Sequence, residues 1–489
     1  MQPYLILTVG INKIEMKKIF LIINGLWIFT LFSCAQKITQ VADVKMDIPL
    51  AFPGAEGFGK YTTGGRAGKV YVVSNLNDKG PGSFREAAQA KEKRIIVFAV
   101  SGTIHLDTKL NIKGDVTIAG QSAPGDGICL ADNSVSLGGD NIIVRYLRFR
   151  MGDKYQRGGM VDGNGADDAF GGTRRKNIII DHCSMSWSTD EVFSVYAGDS
   201  TTLQWNLISE PLNYSYHFET GDTDYEHHGF GGIWGGKHLS AHHNLFAHCN
   251  NRNPRFDGLR NSPEENVDYR NNVIYNWGTN TIYAGEGGSY NIVNNYFKYG
   301  PNTIKGALYR IVSPGKWEKP PIPFGKYYVD GNYVDEAKDV TKNNWLGIVI
   351  GNKGTEADKK ETVVDKPVPA EAIPVQTATE AYEAVLHSVG ASYKRDTLDE
   401  RIINDVKNRT GAFIDVQGGY PHGTAYELTV NAWPALKSLP EPVDTDKDGM
   451  PDDWEKKHGL NFNDAADAST YKISKRYTNI EVYLNGLLK

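Results

Sequence analysis

The chain has 489 residues, which is enough to bury a large core and to hold more than one domain. Its formal net charge is −5 and 23% of its residues are charged, so no basic surface indicates a nucleic-acid partner. The 52 glycines and 26 tyrosines indicate many turns, and this balance favours an all-β protein over a helical one.

The first 33 residues are predicted to be an export signal. A charged stretch at Met16 precedes an apolar run over residues 19–32, and Cys34 follows that run closely. The run is too short for a comfortable membrane span. The pattern resembles a bacterial lipoprotein signal, which implies a start at Met16, a lipid anchor on Cys34 and a leader over residues 34–50. The alternative is an ordinary secretory signal with a chance cysteine, and hence a secreted protein.

Three cysteines remain once Cys34 is set aside, namely Cys129, Cys183 and Cys249. An odd number in an exported chain argues against a framework of disulfides. Cys183 and Cys249 each lie beside a strand-like run. We therefore expect buried, unpaired thiols.

Past the leader, short apolar runs alternate with turns. A Gly-rich loop covers residues 51–68, and Ser83 with Glu86 three positions later predicts a capped short helix. Strand-like runs then recur, including NIIVRYLRFR, NIIIDHCSMSWS, HLSAHHNLFAHC, VDYRNNVIYNW and YNIVNNYFKYG. Their spacing of about 23 to 38 residues fits one solenoid coil, with or without a long loop.

Each of these runs places an asparagine, or an Asp-His pair, before a second short apolar run. Asparagine tolerates a left-handed backbone, and its amide can hydrogen-bond to equivalent residues in a stack. A β-propeller is the alternative, but it needs four strands per repeat and a blade motif that the chain lacks. We predict a parallel β-helix over residues 51–345, with a ladder formed by Asn206, Asn244, Asn272, Asn295 and Asn332.

The repeats end near Trp345. Residues 346–440 are predicted to hold a Lys/Glu/Pro-rich linker and two amphipathic helices, TATEAYEAVLHSVG and TLDERIINDVKNRTG. The last segment, residues 441–489, opens with DTDKDGMPDDWE, which matches the twelve-residue calcium loop with Gly449 at its sharp turn. The prolines before it exclude a full incoming helix, so we expect a free-standing calcium loop. Its predicted ligands are Asp444, Asp446, Asp448 and Glu455.

Another candidate metal site follows the strand IIID. Asp181 and His182 end this strand, and Asp190 and Glu191 come shortly after. Carboxylates on a rigid strand edge suit a hard cation. Taken alone, the stretch reads equally as an acidic turn, but Asp168 and an Arg-rich turn lie in the neighbouring coil.

Several motifs together resemble the pectate lyases of polysaccharide lyase family one. They are RIIVFAVSGTI, VTIAGQSAPGDGI, NIIVRYLRFR, IIIDHCSMSWSTDE, HGFGGIWGG and HHNLFAHCNNRNPRF, in this order. The resemblance covers residues 51–345, and the trailing calcium-loop segment also occurs in bacterial members. It implies a right-handed parallel β-helix that cleaves polygalacturonate, or de-esterified pectin, by calcium-assisted β-elimination.

The family's calcium ligands fall on Asp168 and Asp190 in this sequence. Asp167 stands beside the first of them, and the family's second aspartate after the strand is replaced by Ser194. That departure leaves the implied calcium shell short of one ligand. Glu191 or substrate oxygens could supply it.

The family's catalytic arginine falls on Arg252, and Arg255 matches a nearby substrate-binding arginine. Arginine is an awkward base because its guanidinium is normally always charged. The family's substrate-binding lysine has no clear match here. Lys237, His217 and His228 are the candidates for that role.

Two other functions remain open at this point. A β-helical polygalacturonase would hydrolyse pectin with clustered aspartates, one acting as a general acid, but it would leave Arg252 without a purpose. A non-catalytic pectin-binding or adhesin solenoid would share the fold and the acidic loops. We expect a monomer, as a lyase or with either of these alternative functions.

Overall fold

In the computed structural model, which describes residues 48–157, 167–219 and 221–488, parallel strands stack along one axis. Successive coils pass through three faces in a fixed order, and each strand pairs in parallel with its equivalent in the next coil. The predicted right-handed parallel β-helix is confirmed, with helices in its C-terminal part. A crossover between parallel strands has this hand in nearly all proteins.

The first face holds β1 (Lys69–Val73), β2 (Arg94–Phe98), β5 (Val116–Ala119), β8 (Ile142–Arg145), β11 (Lys176–Asp181), the second half of β13 (Phe193–Gln204), β16 (Leu239–His242), β19 (Asn266–Arg270), β22 (Ser289–Val293) and β25 (Lys326–Asp330). The second holds β3 (Gly102–His105), β6 (Ile128–Ala131), β9 (Leu147–Arg150), β12 (Ser184–Ser186), β14 (Leu207–Ser209), β17 (Leu245–Ala247), β20 (Val273–Tyr275), β23 (Tyr296–Lys298) and β26 (Tyr333–Val334). The third holds β4 (Leu110–Ile112), β7 (Val135–Leu137), β10 (Phe170–Thr173), the first half of β13, β15 (Ile233–Gly236), β18 (Arg255–Phe256), β21 (Ile282–Ala284) and β24 (Val312–Pro314).

The core lies inside the coils. Strand side chains alternate between the two sides of a sheet, so Ile96 and Phe98 of β2 point into the core while Ile95 and Val97 point outward. Inside, equivalent aromatic residues of neighbouring coils stack, as in Phe170 on Phe193 with ring centroids 5.5 Å apart. Burial of each such side chain contributes about 1.5–3 kcal/mol.

The predicted asparagine ladder is present at the bend between the first and second faces. The side-chain oxygen of Asn244 accepts the Asn206 backbone N–H at 2.9 Å, and the same bond repeats from coil to coil. Asn344, which was not predicted, extends the ladder by one step. The left-handed residue is not the ladder asparagine but the one before it, for example His243 with φ 55°.

Seven α-helices accompany the coils in the described part of the chain. The predicted short helix is present as α1 (Phe84–Gln89), and the Ser83 hydroxyl accepts the Glu86 N–H. The Glu86 carboxylate bonds to the Gly82 N–H rather than closing a full capping box. The remaining helices are α2 (Lys338–Lys342), α3 (Glu356–Thr362), α4 (Ala378–Ser388), α5 (Thr397–Asn408), α6 (Asp452–His458) and α7 (Asn479–Gly486).

Helices α4 and α5 coincide with the two predicted amphipathic helices, and their apolar sides pack on the second face. Helix α3 lies in the stretch predicted to be linker, where Thr355 and Asp358 form a capping box. The composition of that stretch hid this local cap.

The three predicted free thiols are confirmed: Cys129, Cys183 and Cys249 are unpaired and buried. The export signal and Cys34 lie outside the described residues. None of the helices in the described ranges is long and apolar enough to cross a membrane.

Candidate active site

A carboxylate cluster lies at the bend between the second and third faces, just before strands β10 and β13, and is formed by Asp168, Asp190 and Glu191. Each offers an oxygen, and these three oxygens lie within 4.8 Å of one another. Neighbouring coils bring them together, because the Glu191 backbone N–H donates to the Asp168 carboxylate at 3.2 Å. The Ala169 N–H in turn donates to the Glu191 carbonyl at 3.1 Å.

Asp168 and Asp190 respond differently to the same surroundings. Burial, together with the charge of Asp190, raises the pKa of Asp168 well above its usual value despite Arg252 nearby. Burial would also raise the pKa of Asp190, but the hydrogen bond and positive charge of His228 outweigh it and lower that pKa. A charged carboxylate therefore stands beside one that resists ionisation.

Two histidines cover Asp190 from a hairpin whose described arms are residues 213–219 and 221–228. His228 Nε2 lies 2.9 Å from Asp190 Oδ1, and His217 Nε2 lies 3.8 Å from the same oxygen. Their rings stack with centroids 3.8 Å apart, and the opposite nitrogens of both rings face Glu226. The hairpin is closed by a bridge between Tyr214 and His227.

Arg252 reaches the cluster from the following coil. Its guanidinium contacts the Glu191 carboxylate and lies over the Phe230 ring, with Cζ 4.5 Å from the ring centroid. Its backbone is left-handed at φ 55°, and the Asn251 side chain accepts its N–H at 2.8 Å. A left-handed backbone in a residue other than glycine costs free energy and is often found at functional sites.

Three other predicted site residues lie apart from this cluster. Asp167 turns to Lys109 and to Gln156, whose amide donates to it at 2.7 Å. Arg255 is buried and paired with Glu286 at 3.0 Å. Lys237 is exposed and pairs with Glu264 at 3.1 Å.

Ser194, which stands where the family often has an aspartate, is buried against the cluster. Its hydroxyl oxygen accepts the Ile233 N–H at 3.0 Å, and a hydrogen bond from this hydroxyl partly offsets the rise in the pKa of Asp168 that burial causes. Serine thus offers a neutral contact where a third aspartate would add charge.

The donors of this cluster fit a hard cation. All three are carboxylates, which calcium prefers, and the Glu191 carboxylate is also in contact with Arg252. Asp168, Asp190 and Glu191 are the residues that would hold the ion.

A second carboxylate cluster lies in the C-terminal segment. Asp444, Asp446 and Asp448 each place an oxygen within 4.8 Å of the others, and Asp448, Glu455 and Asp467 form an overlapping group. Gly449 has φ 88°, a backbone that suits glycine at the sharp turn of such a loop. Asp467 was not predicted, because it stands outside the twelve-residue motif.

The histidine pair was only partly predicted. His217 and His228 were candidates for the role of a substrate-binding lysine, but their joint contact with Asp190 depends on the hairpin that brings them together. The closely spaced histidines and acidic residues of YSYHFETGDTDYEHH were the only signal in the sequence.

No family model matches the chain, but the following similar proteins and structure carry the same name. "Probable pectate lyase C" of Aspergillus terreus is 36% identical over 475 residues, covering 95% of this chain and 98% of the relative. The protein of the same name from Emericella nidulans is 37% identical over 447 residues, covering 90% and 93%. Among solved structures, "Pectate lyase bound to hexasaccharide" aligns with a TM-score of 0.46 and 15% identity, covering 72% of this chain and 99% of that one.

Proposed function

The chain belongs to the pectate lyase family and is a polysaccharide lyase, and from this premise we propose that it cleaves polygalacturonate by calcium-dependent β-elimination. The observation that carries the proposal is the convergence of three carboxylates and Arg252 at one edge of the solenoid. An acidic polymer has a reason to approach an acidic cluster only if a cation lies between them.

The proposed reaction balances without water. A base removes the proton from C5 of a galacturonate unit, the electron pair forms the C4=C5 double bond, and the C4–O bond breaks. The departing oxygen takes up a proton and becomes the hydroxyl end of the other fragment. The substrate carboxylate makes the C5 proton a poor acid, and calcium bound between it and the protein carboxylates would withdraw that charge.

Arg252 is the proposed base. A guanidinium normally stays charged, so proton acceptance requires surroundings that favour its neutral form. The ring of Phe230 covers one face of the guanidinium, and Arg252 Nε is buried without a hydrogen-bond partner among the described residues. Glu191 holds Arg252 in place, so Glu191 must turn to another cation before the arginine is free to react.

His228 is the proposed substrate-binding cation in place of the family's lysine. Among the predicted substrate-binding candidates Arg255, Lys237, His217 and His228, it makes the shortest contact with the carboxylate cluster, at 2.9 Å from Asp190 against 3.8 Å for His217. We keep Arg255 as a residue that shapes the third face through Glu286, and Lys237 as a surface residue of the adjoining turn.

The test is to incubate the protein with polygalacturonate and calcium, and to follow the ultraviolet absorbance of the 4,5-unsaturated product. A lyase produces that absorbance and loses it with chelator. A hydrolase would produce reducing ends without the absorbance, and a binding solenoid would produce neither. Either of these last results would refute the proposal.

We also propose that the protein is exported and anchored by a lipid on Cys34. The support is the charged, apolar and cysteine-terminated pattern from Met16 onward. A Cys34→Ser variant should leave the membrane fraction and keep its activity. If the variant still fractionates with membranes, the lipid anchor on Cys34 is refuted.

A further inference from the structure

We propose that Asp467 is an additional ligand of a calcium ion in the C-terminal loop, and that this ion fastens residues 441–489 to the first coils of the solenoid. The site is separate from the proposed catalytic cluster and goes beyond the lyase function. Sequence spacing identifies only Asp444, Asp446, Asp448 and Glu455.

The first argument is that buried carboxylate oxygens here lack partners. Glu455 is fully buried, and neither of its carboxylate oxygens has a hydrogen-bond partner among the described residues. Asp448 Oδ2 and Asp467 Oδ1 are buried and unpartnered in the same way. A buried charge without a partner is strongly destabilising, so an arrangement of this kind needs a cation.

The negative charge of this cluster is not balanced by basic side chains. Five carboxylates converge, and within the described ranges no lysine, arginine or histidine forms an ion pair with any of them. Nearby Lys447 and Lys456 pair instead with Glu441 and Asp452. The donor set is entirely oxygen, which selects calcium over softer metals.

Asp467 is already oriented toward this site. Its Oδ2 accepts the Asn461 N–H at 2.9 Å, which leaves Oδ1 free toward Asp448 and Glu455. Asp467 therefore joins the turn after helix α6 to the loop before it. An ion held from both sides would tie the whole segment together.

The segment covers the outer side of the first coils. Met450 is buried with Ile95 and Val97, the residues of β2 that point away from the solenoid core. A Cβ on Gly449 would lie 2.8 Å from Val97, so the loop rests directly on the strand. Farther along, Glu481 accepts a hydrogen bond from Arg66 at 2.9 Å within a buried ion pair.

The test compares Asp467→Asn with Asp464→Asn in the full chain. Asp464 is exposed and outside the cluster, so it is the matched control. Calcium binding is measured by titration calorimetry in an Asp190→Asn background, which weakens the proposed catalytic site. We expect Asp467→Asn to bind calcium at the C-terminal site about ten-fold more weakly or worse, and Asp464→Asn to match its parent.

Hydrogen exchange keeps the proposal testable if Asp467→Asn folds poorly. Chelator added to the parent protein should raise amide exchange in β1 and β2 and leave β25 and β26 unchanged. Unaltered calcium affinity in a folded Asp467→Asn protein would overturn the ligand assignment. If chelator changes amide exchange by the same amount in all four strands, the ion does not fasten the segment to the first coils.

A different set of contacts carries a second inference, which rests on the proposed function. We infer that residues 411–424 position the active-site hairpin. The Asn213 N–H donates to the Ile414 carbonyl at 2.7 Å, and the Tyr214 N–H donates to the Asp415 carboxylate at 3.1 Å. His422 Nδ1 lies 3.0 Å from the Tyr214 carbonyl.

These contacts act on the hairpin that carries the histidine pair. The His228 N–H donates to the Asn213 carbonyl at 2.7 Å, so a shift at Asn213 moves His228 against Asp190. The same segment also contacts Arg157, whose guanidinium donates to the Thr424 carbonyl at 2.7 Å and lies over the Tyr216 ring of the hairpin. Asp415 and His422 are therefore positioning residues.

The test measures kcat and KM for Asp415→Ala and Asp415→Asn, with His387→Ala, at an exposed position of helix α4, as the control. We expect Asp415→Ala to lose about ten-fold in kcat/KM with little change in melting temperature. Asp415→Asn should recover most of that loss, because its amide oxygen still accepts the Tyr214 N–H. An active parent with an unchanged Asp415→Ala variant refutes this inference alone, whereas an inactive parent refutes the proposed function.

Discussion

The two carboxylate clusters differ in what balances their charge. At the candidate active site, Arg252 contacts Glu191 and His228 contacts Asp190, so the protein supplies its own cations. In the C-terminal loop, no basic side chain of the described residues pairs with Asp448, Glu455 or Asp467. Acidic clusters of similar composition therefore suit different purposes, depending on whether the protein supplies the balancing cations.

A cluster that carries its own cations tolerates the loss of a metal ion. The ion can then come and go with substrate, which suits catalysis. A cluster without cations is unstable when empty, since burial and neighbouring charges raise the pKa of Asp448 to about 8 and that of Glu455 to about 7. Such a site suits an ion that stays bound and supports the fold.

The largest expected effect is on the catalytic side of the comparison. Arg252→Lys keeps the charge but loses the planar fork and its placement. We expect kcat to fall by about a hundred-fold or more, which is typical for loss of a general base, and added calcium should not restore it. A fall below about ten-fold would make Arg252 a binding residue, while Lys237→Ala serves as the control with near-parental rates.

Asp190→Asn probes the same cluster through its metal ligand. We expect about a ten-fold increase in the calcium concentration needed for half-maximal rate, because one charged oxygen ligand becomes a neutral amide. The melting temperature in saturating calcium should stay close to that of the parent. A rate that no calcium concentration improves would separate Asp190 from metal binding.

Glu455→Gln probes the other cluster. A ligand that binds only the folded state stabilises it by about 2.7 kcal/mol at a hundred times its Kd. We therefore expect chelator to lower the melting temperature of the parent by about 5 °C. Chelator should have a much smaller effect on Glu455→Gln, whose turnover in calcium should remain near parental; a strong loss of turnover in the folded variant would join the two clusters.

The smallest expected effect is at the histidine pair. His228→Gln retains a hydrogen-bond donor to Asp190 but removes the positive charge offered to the substrate. We expect KM for polygalacturonate to rise about three- to ten-fold with a smaller change in kcat, since the interaction is made with bound substrate. His387→Gln, at an exposed position of helix α4, is the matched control.

Sequence reasoning reached the features that repeat or lie close together along the chain. The asparagine ladder could be predicted because the same residue recurs at each bend, and Asp190 and Glu191 come within ten residues of the strand that ends at Asp181. The conformation of the bend was harder. The preceding residue, such as His243, takes the left-handed backbone and so leaves the asparagine amide free to bond to the next coil.

Contacts between residues far apart in the sequence could not be predicted in the same way. Arg255 pairs with Glu286 one coil later, and no local pattern distinguishes that arginine from Arg252. Asp167 and Asp168 are adjacent in sequence, yet Asp167 faces Lys109 while Asp168 faces the cluster. Asp467 joins its site only because the chain folds back after helix α6.

The most direct measurement is a pair of calcium titrations on one preparation, one following unsaturated product and the other following melting temperature. We expect the calcium midpoint for turnover to differ from the calcium midpoint for melting temperature. Asp190→Asn should move only the midpoint for turnover, and Glu455→Gln should remove only the calcium-dependent rise in melting temperature. A single shared midpoint, or one variant that alters both curves equally, would contradict the division between a catalytic and a structural cluster.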